Sequence, residues 1–306
     1  DLVAFGRQSL ADPAMPKKAL EERLEDMTPC IACLQGCVAN MYAGNPICCL
    51  TNPFLGHEAE PIAKTENPKK VMVIGGGVAG LCAAFIAKEK GHEVTLYEAG
   101  DVLGGNMRLA AYPPGKGDIT NMIRSYIHRC QKDGVKIVMN CEVTPELIKE
   151  EKPDSVIIAT GSKTLILPIE GIDNPAIIHG SDLLDGKRAA GKKVLVVGGG
   201  MVGCETAAFL GEQEHDVTVI EFRDTVGADV IHEHRVYLMK DFEDYGIKEI
   251  TGAKVCKFYE DGVEYETADG VRHESRGYDS VILSMGFRNY NPLEEKIKDL
   301  VPETHV

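Results

Sequence analysis

The chain has 306 residues, 44% of them hydrophobic and 26% charged, which predicts two compact globular domains and excludes disorder over most of the length. With 33 Lys and Arg against 47 Asp and Glu, the formal charge is −14, which argues against nucleic acid or an anionic membrane surface as the main partner. No apolar run of about eighteen residues is present, and the start lacks the basic-then-apolar order of a signal peptide, so a cytoplasmic location is expected.

Residues 1–13 read as a short apolar strand that breaks at Gly6-Arg7 and enters a helix-start signal. A strand beginning at Asp1, without an initiator Met, leads to the expectation of a piece cut from a longer polypeptide. A helical stretch over 17–25 leads into Cys30, Cys33 and Cys37, followed by the doublet Cys48-Cys49. Five of the ten cysteines thus fall within residues 30–49 beside nucleotide-binding patterns, which favours a soft-metal site over disulfides. Three close cysteines and one distant suit an iron–sulfur cluster better than structural zinc, which usually takes two Cys pairs. Adjacent residues in extended chain point to opposite sides, so one of Cys48 and Cys49 is expected to face the metal. The scattered Cys82, Cys130, Cys141, Cys204 and Cys256 read as buried thiols acting as small apolar side chains.

Residues 57–69, with Pro61 and Pro68, read as a linker. After them Lys70 to Ile74 reads as a buried parallel strand, Gly75-Gly76-Gly77-Val78-Ala79-Gly80 as a turn, Leu81 to Lys90 as a helix, and Val94 to Glu98 as a second strand. This is Gly-x-Gly-x-x-Gly in its strand–turn–helix context, with an acid eighteen residues after the last glycine. Gly75 makes the tight turn, Gly77 admits a pyrophosphate, Gly80 lets helix and strand pack closely, and Glu98 accepts from the ribose hydroxyls. An amphipathic helix is expected over 118–133 and strands over 135–139 and 155–161, the last ending in Ala159-Thr160-Gly161.

The pattern then repeats. Lys193 to Val197 leads to Gly198-Gly199-Gly200-Met201-Val202-Gly203 and Glu221, and 198 − 75, 203 − 80 and 221 − 98 all equal 123. An internal duplication of a Rossmann-like unit accounts for the constant offset. A helix is expected over 229–245, then a hairpin of 254–259 and 262–267 joined at Asp261-Gly262. His232 and His234 face different sides of that helix and read as surface residues.

Gly6-Arg7 with Leu10-Ala11-Asp12-Pro13, the Cys-x₂-Cys-x₃-Cys-x₁₁-Cys spacing and the two glycine motifs together resemble the 2,4-dienoyl-CoA reductase, 2-enoate reductase and trimethylamine dehydrogenase family. The resemblance implies an α/β chain: two nested Rossmann-like nucleotide-binding domains of the disulfide-reductase type, preceded by a Cys-rich cluster segment and the last strand of a (β/α)₈ barrel. It divides the chain into a barrel remnant (1–27), a cluster segment (28–60), an FAD domain (61–163), an inserted NAD(P) domain (164–288) and a truncated return to the FAD domain (289–306). Gly6 and Arg7 would sit at the phosphate of FMN in the barrel. The family has its fourth cysteine directly before a Leu-x-Asn-Pro segment, here Leu50-Thr51-Asn52-Pro53, which selects Cys49 and gives a [4Fe–4S] cluster on Cys30, Cys33, Cys37 and Cys49.

By the same resemblance Gly104, Gly105 and Arg108 belong to a turn near the flavin, Thr160-Gly161 marks the crossing out of the FAD domain, and the second site, with Gly198, Gly200, Met201, Val202 and Gly203, takes a nicotinamide nucleotide. There Glu221 accepts from a free 2′-OH and repels a 2′-phosphate, favouring NADH over NADPH; Arg223 is the residue that would hold a phosphate. The implied activity is NADH-dependent reduction of an activated carbon–carbon double bond, of enoate, dienoyl-CoA or unsaturated steroid or bile-acid type, with electrons passing from NADH to FAD, the cluster and FMN. Two alternatives are a trimethylamine-dehydrogenase-like protein whose second site only binds ADP and an electron-transfer subunit of the glutamate-synthase type. The expected partners are a small-molecule substrate in the missing barrel and further copies in a homo-oligomer.

Overall fold

Short aliphatic runs, each followed by glycine or a polar loop, form the parallel strands of two units. The computed structural model describes residues 2–60 and 62–306; the expected strand start at Asp1 and the linker and domain-boundary residue Pro61 lie outside them. One unit comprises residues 2–60, 62–111, 116–162 and 289–306, the other residues 112–115 and 163–288.

The first unit holds a five-stranded sheet in the spatial order Glu303–His305, Ser155–Ile158, Lys70–Ile74, Glu93–Tyr97, Lys136–Val138, all parallel. Parallel strands are covered on both faces, and alternate residues of Lys70–Ile74 serve the two sides. Val71 and Val73 join Leu81, Ala84 and Phe85 of the helix Val78–Glu89 and Met122, Ile123 and Tyr126 of the helix Asp118–Lys132. Met72 and Ile74 join Val143, Ile148 of the helix Pro145–Glu151, and Ile297. Phe85 is fully buried, edge-on to Tyr126 and beneath the Arg129 guanidinium.

The second unit repeats this arrangement in the order Ile178–His179, Ser280–Leu283, Lys193–Val197, Asp216–Ile220, Lys248–Ile250, again all parallel. The helix Met201–Glu212 follows the central strand as Val78–Glu89 does in the first unit. An antiparallel three-stranded sheet, Lys254–Tyr259, Gly262–Glu266 and Arg272–Arg276, is added to it. The expected hairpin forms at Asp261-Gly262, where a Cβ on Gly262 would lie 2.0 Å from the Ser275 carbonyl oxygen. Among the described residues no helix is long and apolar enough to cross a membrane.

Several expectations are corrected. Residues 2–5 form no strand; Leu2, Val3 and Phe5 are exposed, because a strand without a neighbour leaves its backbone groups unpaired. The helical stretch at 17–25 is instead a helix, Met15–Leu20, and a separate 3₁₀ turn, Leu24–Asp26. Between them Glu22 adopts a left-handed φ of 56°, which interrupts the ladder. The expected 229–245 helix starts later, at His232, since Asp229 belongs to the loop before it. Of the five scattered cysteines only Cys130 and Cys204 are fully buried; Cys82, Cys141 and Cys256 are half-buried.

Candidate functional site

At the end of the strand Lys70–Ile74 the chain turns at Gly75, whose φ of +110° and whose hypothetical Cβ, 2.3 Å from the Ala159 carbonyl oxygen, both require glycine. Gly77 caps the helix Val78–Glu89, and a Cβ there would meet only Gly105 at 4.0 Å, so this side of the turn is open. Gly80 lies beneath the turn, where a Cβ would fall 1.9 Å from the Gly75 carbonyl oxygen. The open side faces a cavity of about 490 Å³ lined by Gly75, Gly77, Val78, Ala79, Glu98, Gly104, Gly105, Thr160 and Gly161. Arg108 sits on the short helix Asn106–Leu109 and does not line it.

Glu98 is engaged within the protein itself. Its carboxylate accepts the Gly76 N–H and the Gly100 N–H, each at 2.7 Å, and so pins the glycine turn to the second strand. Each oxygen keeps a further lone pair for a hydroxyl donor.

The second unit reproduces this geometry. Gly198 has φ +106° with a hypothetical Cβ 2.4 Å from the Ser284 carbonyl oxygen, and a Cβ on Gly203 would lie 1.8 Å from the Gly198 carbonyl oxygen. Glu221 accepts the Gly199 N–H at 2.6 Å and the Arg223 N–H at 2.9 Å. The 123-residue offset therefore governs hydrogen bonds as well as residue types. It extends to a third contact, Gly104 N–H to the Gly76 carbonyl at 2.8 Å and Gly227 N–H to the Gly199 carbonyl at 2.7 Å. Gly200 caps the helix Met201–Glu212, whose first turn contains Val202. The Arg223 side chain is exposed.

The cysteines gather as well. Cys30, Cys33, Cys37, Cys48 and Cys49 line one small cavity of about 20 Å³, together with Arg7. Ala32 and Leu34 take left-handed φ values of 52° and 57°, which wind the loop tightly, and Cys48 N–H donates to the Gly36 carbonyl at 2.8 Å. Burial pushes the Cys33 thiol up, and the neighbouring Cys37, Cys49 and Cys30 sulfurs add to the shift. Cys48 is exposed, while Cys49 is half-buried with its sulfur 3.3 Å from the Thr51 hydroxyl. Among the described residues no three His, Cys, Asp or Glu side chains converge closely enough to hold a single metal ion. The donor set, thiols around one small cavity, suits a soft metal centre. Gly6 stands in open space before the helix Arg7–Ala11.

The pattern of the pyridine nucleotide-disulphide oxidoreductases matches residues 60–300, spanning both glycine turns. The chain belongs to that family. Cinnamate reductase of Clostridium sporogenes is 32% identical over 310 residues, covering 100% of this chain and 46% of its relative. NADH oxidase of Thermoanaerobacter brockii is 36% identical over 294 residues, covering 94% and 45%. Among solved structures, 2-naphthoyl-CoA reductase with bound 2-naphthoyl-CoA superposes with a TM-score of 0.93 at 34% identity, over 98% of this chain and 46% of that one. The chain thus spans about half the length of the curated relatives it matches. These relatives fit the enoate and dienoyl-CoA reductase resemblance that the cysteine spacing and paired glycine motifs carry.

In this pyridine nucleotide-disulphide oxidoreductase fold, sequence reasoning missed part of the first site's wall. Glu142, Val143, Thr144 and Pro145 line the 490 Å³ cavity from the loop after Lys136–Val138. The signal was present: ligands bind outside the carboxyl ends of parallel strands, and Thr144-Pro145 is a helix-start pair whose hydroxyl accepts the Leu147 N–H at 3.3 Å. Tyr290 closes the opposite side, accepting the Thr160 hydroxyl at 2.5 Å and donating its N–H to the Gly161 carbonyl at 2.9 Å. Gln8, also missed, ties the first helix to the cysteine loop by accepting the Cys30 N–H at 2.8 Å and donating to the Thr28 carbonyl at 3.0 Å.

Proposed function

We propose that the chain is the nucleotide-binding and cluster-carrying part of an NADH-dependent flavin oxidoreductase that reduces an activated carbon–carbon double bond, with an enoate, a dienoyl-CoA ester or an unsaturated steroid or bile-acid ketone as substrate class. The observation that carries this reading is the pair of glycine turns with equivalent acids and hydrogen bonds, which calls for two dinucleotides. A cinnamate reductase, an NADH oxidase and a 2-naphthoyl-CoA reductase among its relatives support it.

In this reading the first turn holds FAD. The helix N-terminus at Val78 and Ala79 takes the pyrophosphate, Glu98 the ribose, and the cavity between Gly105, Thr160 and Thr144 shields the ligand from water. The second turn takes NADH, with Glu221 receiving the 2′-hydroxyl. Cys30, Cys33, Cys37 and Cys49 hold a [4Fe–4S] cluster, and Gly6-Arg7 leads from the part of the polypeptide that binds FMN. When bound, the flavins and cluster supply two-electron acceptance and one-electron transfer, chemistry no side chain here provides. The division into segments 1–27, 28–60, 61–163, 164–288 and 289–306, a small-molecule substrate, a homo-oligomeric state and a cytoplasmic location belong to the same proposal.

Anaerobic titration of the full-length protein with NADH tests it. Stoichiometric bleaching of the flavin absorbance is expected; a flavin that NADH leaves oxidised overturns the reading.

A further inference from the structure

The two glycine turns differ in the charge held at the start of the helix that follows. Met201, the first residue of the twelve-residue helix Met201–Glu212, donates its N–H to an Asp229 carboxylate oxygen at 2.8 Å. A Cβ placed on Gly200 would lie 3.3 Å from the other oxygen, so the carboxylate spans the Gly200–Met201 peptide. The N–H groups of a helix start have no partner within the helix, and a dinucleotide's phosphates dock on such groups. Asp229 is delivered by an anchored loop: Val226 and Val230 on either side are buried, and Gly227 N–H donates to the Gly199 carbonyl at 2.7 Å. Asp229 itself is exposed.

In the first repeat the residue 123 positions earlier is Asn106, which also lines the first cavity but is neutral, its amide donating to the Ser162 carbonyl at 3.1 Å and to its hydroxyl at 3.2 Å. We infer that Asp229 is a resident anion in the phosphate position of the second turn, which the pyrophosphate of an incoming dinucleotide must displace. The inference rests on the reading of that turn as the NADH site. It gives the two repeats different duties. The first, with no carboxylate at its helix start, retains a cofactor. The second, where Asp229 competes for the same N–H and repels phosphate, exchanges a nucleotide that must leave after each turnover.

Asp229→Asn tests this, because the amide oxygen still accepts the Met201 N–H while the charge is gone; Asp229→Ala removes both. Equilibrium titrations of the full-length protein with NADH, ADP and adenosine compare the three forms. NADH and ADP are expected to bind about tenfold more tightly to both variants, about 1.4 kcal/mol. Adenosine, without phosphates, should bind unchanged. NADH affinity that is unchanged or weaker in Asp229→Asn, in a protein whose wild type binds NADH, overturns the inference. So does an equal gain for adenosine. If no form binds NADH, the reading of the second turn as an NADH site fails, and the inference falls with it.

Discussion

Glu221→Gln separates ribose recognition from loop anchoring at the second turn. The carboxylate accepts two backbone donors, Gly199 N–H and Arg223 N–H, whereas an amide has a single acceptor oxygen. Gly199 is buried and Arg223 exposed, so the amide oxygen will stay with Gly199 and the Arg223 N–H will turn to water. On the proposed reading the ribose hydroxyl exchanges a charge-assisted bond to the carboxylate, worth about 1.5–3 kcal/mol, for a neutral one to the second lone pair of the amide oxygen, worth about 0.5–1.5 kcal/mol. The net loss is about 1–2 kcal/mol, a factor of roughly 5–30 if it appears wholly in binding. NADH affinity should drop by that factor in a nicotinamide-fluorescence titration. NADPH affinity should drop less, because removing the charge also removes its repulsion of a 2′-phosphate. A variant that binds both nucleotides with the wild-type affinities and the wild-type ratio would refute the reasoning.

The cysteine doublet gives a second test: Cys49→Ser should lose iron and acid-labile sulfide while Cys48→Ser keeps both, since Cys49 is half-buried beside Thr51 and Cys48 is exposed. Iron retained in Cys49→Ser and lost in Cys48→Ser would reverse the ligand assignment. A third concerns Asp26, which hydrogen bonds from Lys132, then His128 and Arg23, hold well below the usual carboxylate range. A depressed folded pKa stabilises above the unfolded value of about 3.9, and the contribution drains away as pH falls below it. Asp26→Asn should therefore melt below wild type at pH 7, with the gap closing below about pH 4; a gap constant across that range would count against the ion-pair account.

What could be read from the sequence followed apolar patterning. Lys193–Val197 forms over the expected residues because a parallel strand covered on both faces must be a continuous aliphatic run. The helix after the first glycine turn begins at Val78 rather than Leu81, since Gly80 is needed inside its first turn for the close approach to Gly75. Arg272–Arg276 carried no signal: as an edge strand with mostly exposed side chains it reads Arg-His-Glu-Ser-Arg, with no apolar alternation.

The duplication shows where such reading stops. Equal spacing foretold equivalent acids, and the hydrogen bonds of Glu98 and Glu221 coincide because each is set by a strand end and a turn that are themselves duplicated. Asn106 and Asp229 also occupy equivalent positions, yet one turns to Ser162 and the other to Met201. An amide donor is drawn to the Ser162 carbonyl, which a carboxylate cannot approach without a proton, while a carboxylate is drawn to the positive end of a helix. The direction each side chain takes is thus decided by a single change of charge type and by neighbours 28 and 56 residues away in the chain, a distance over which hydrophobic periodicity carries no information.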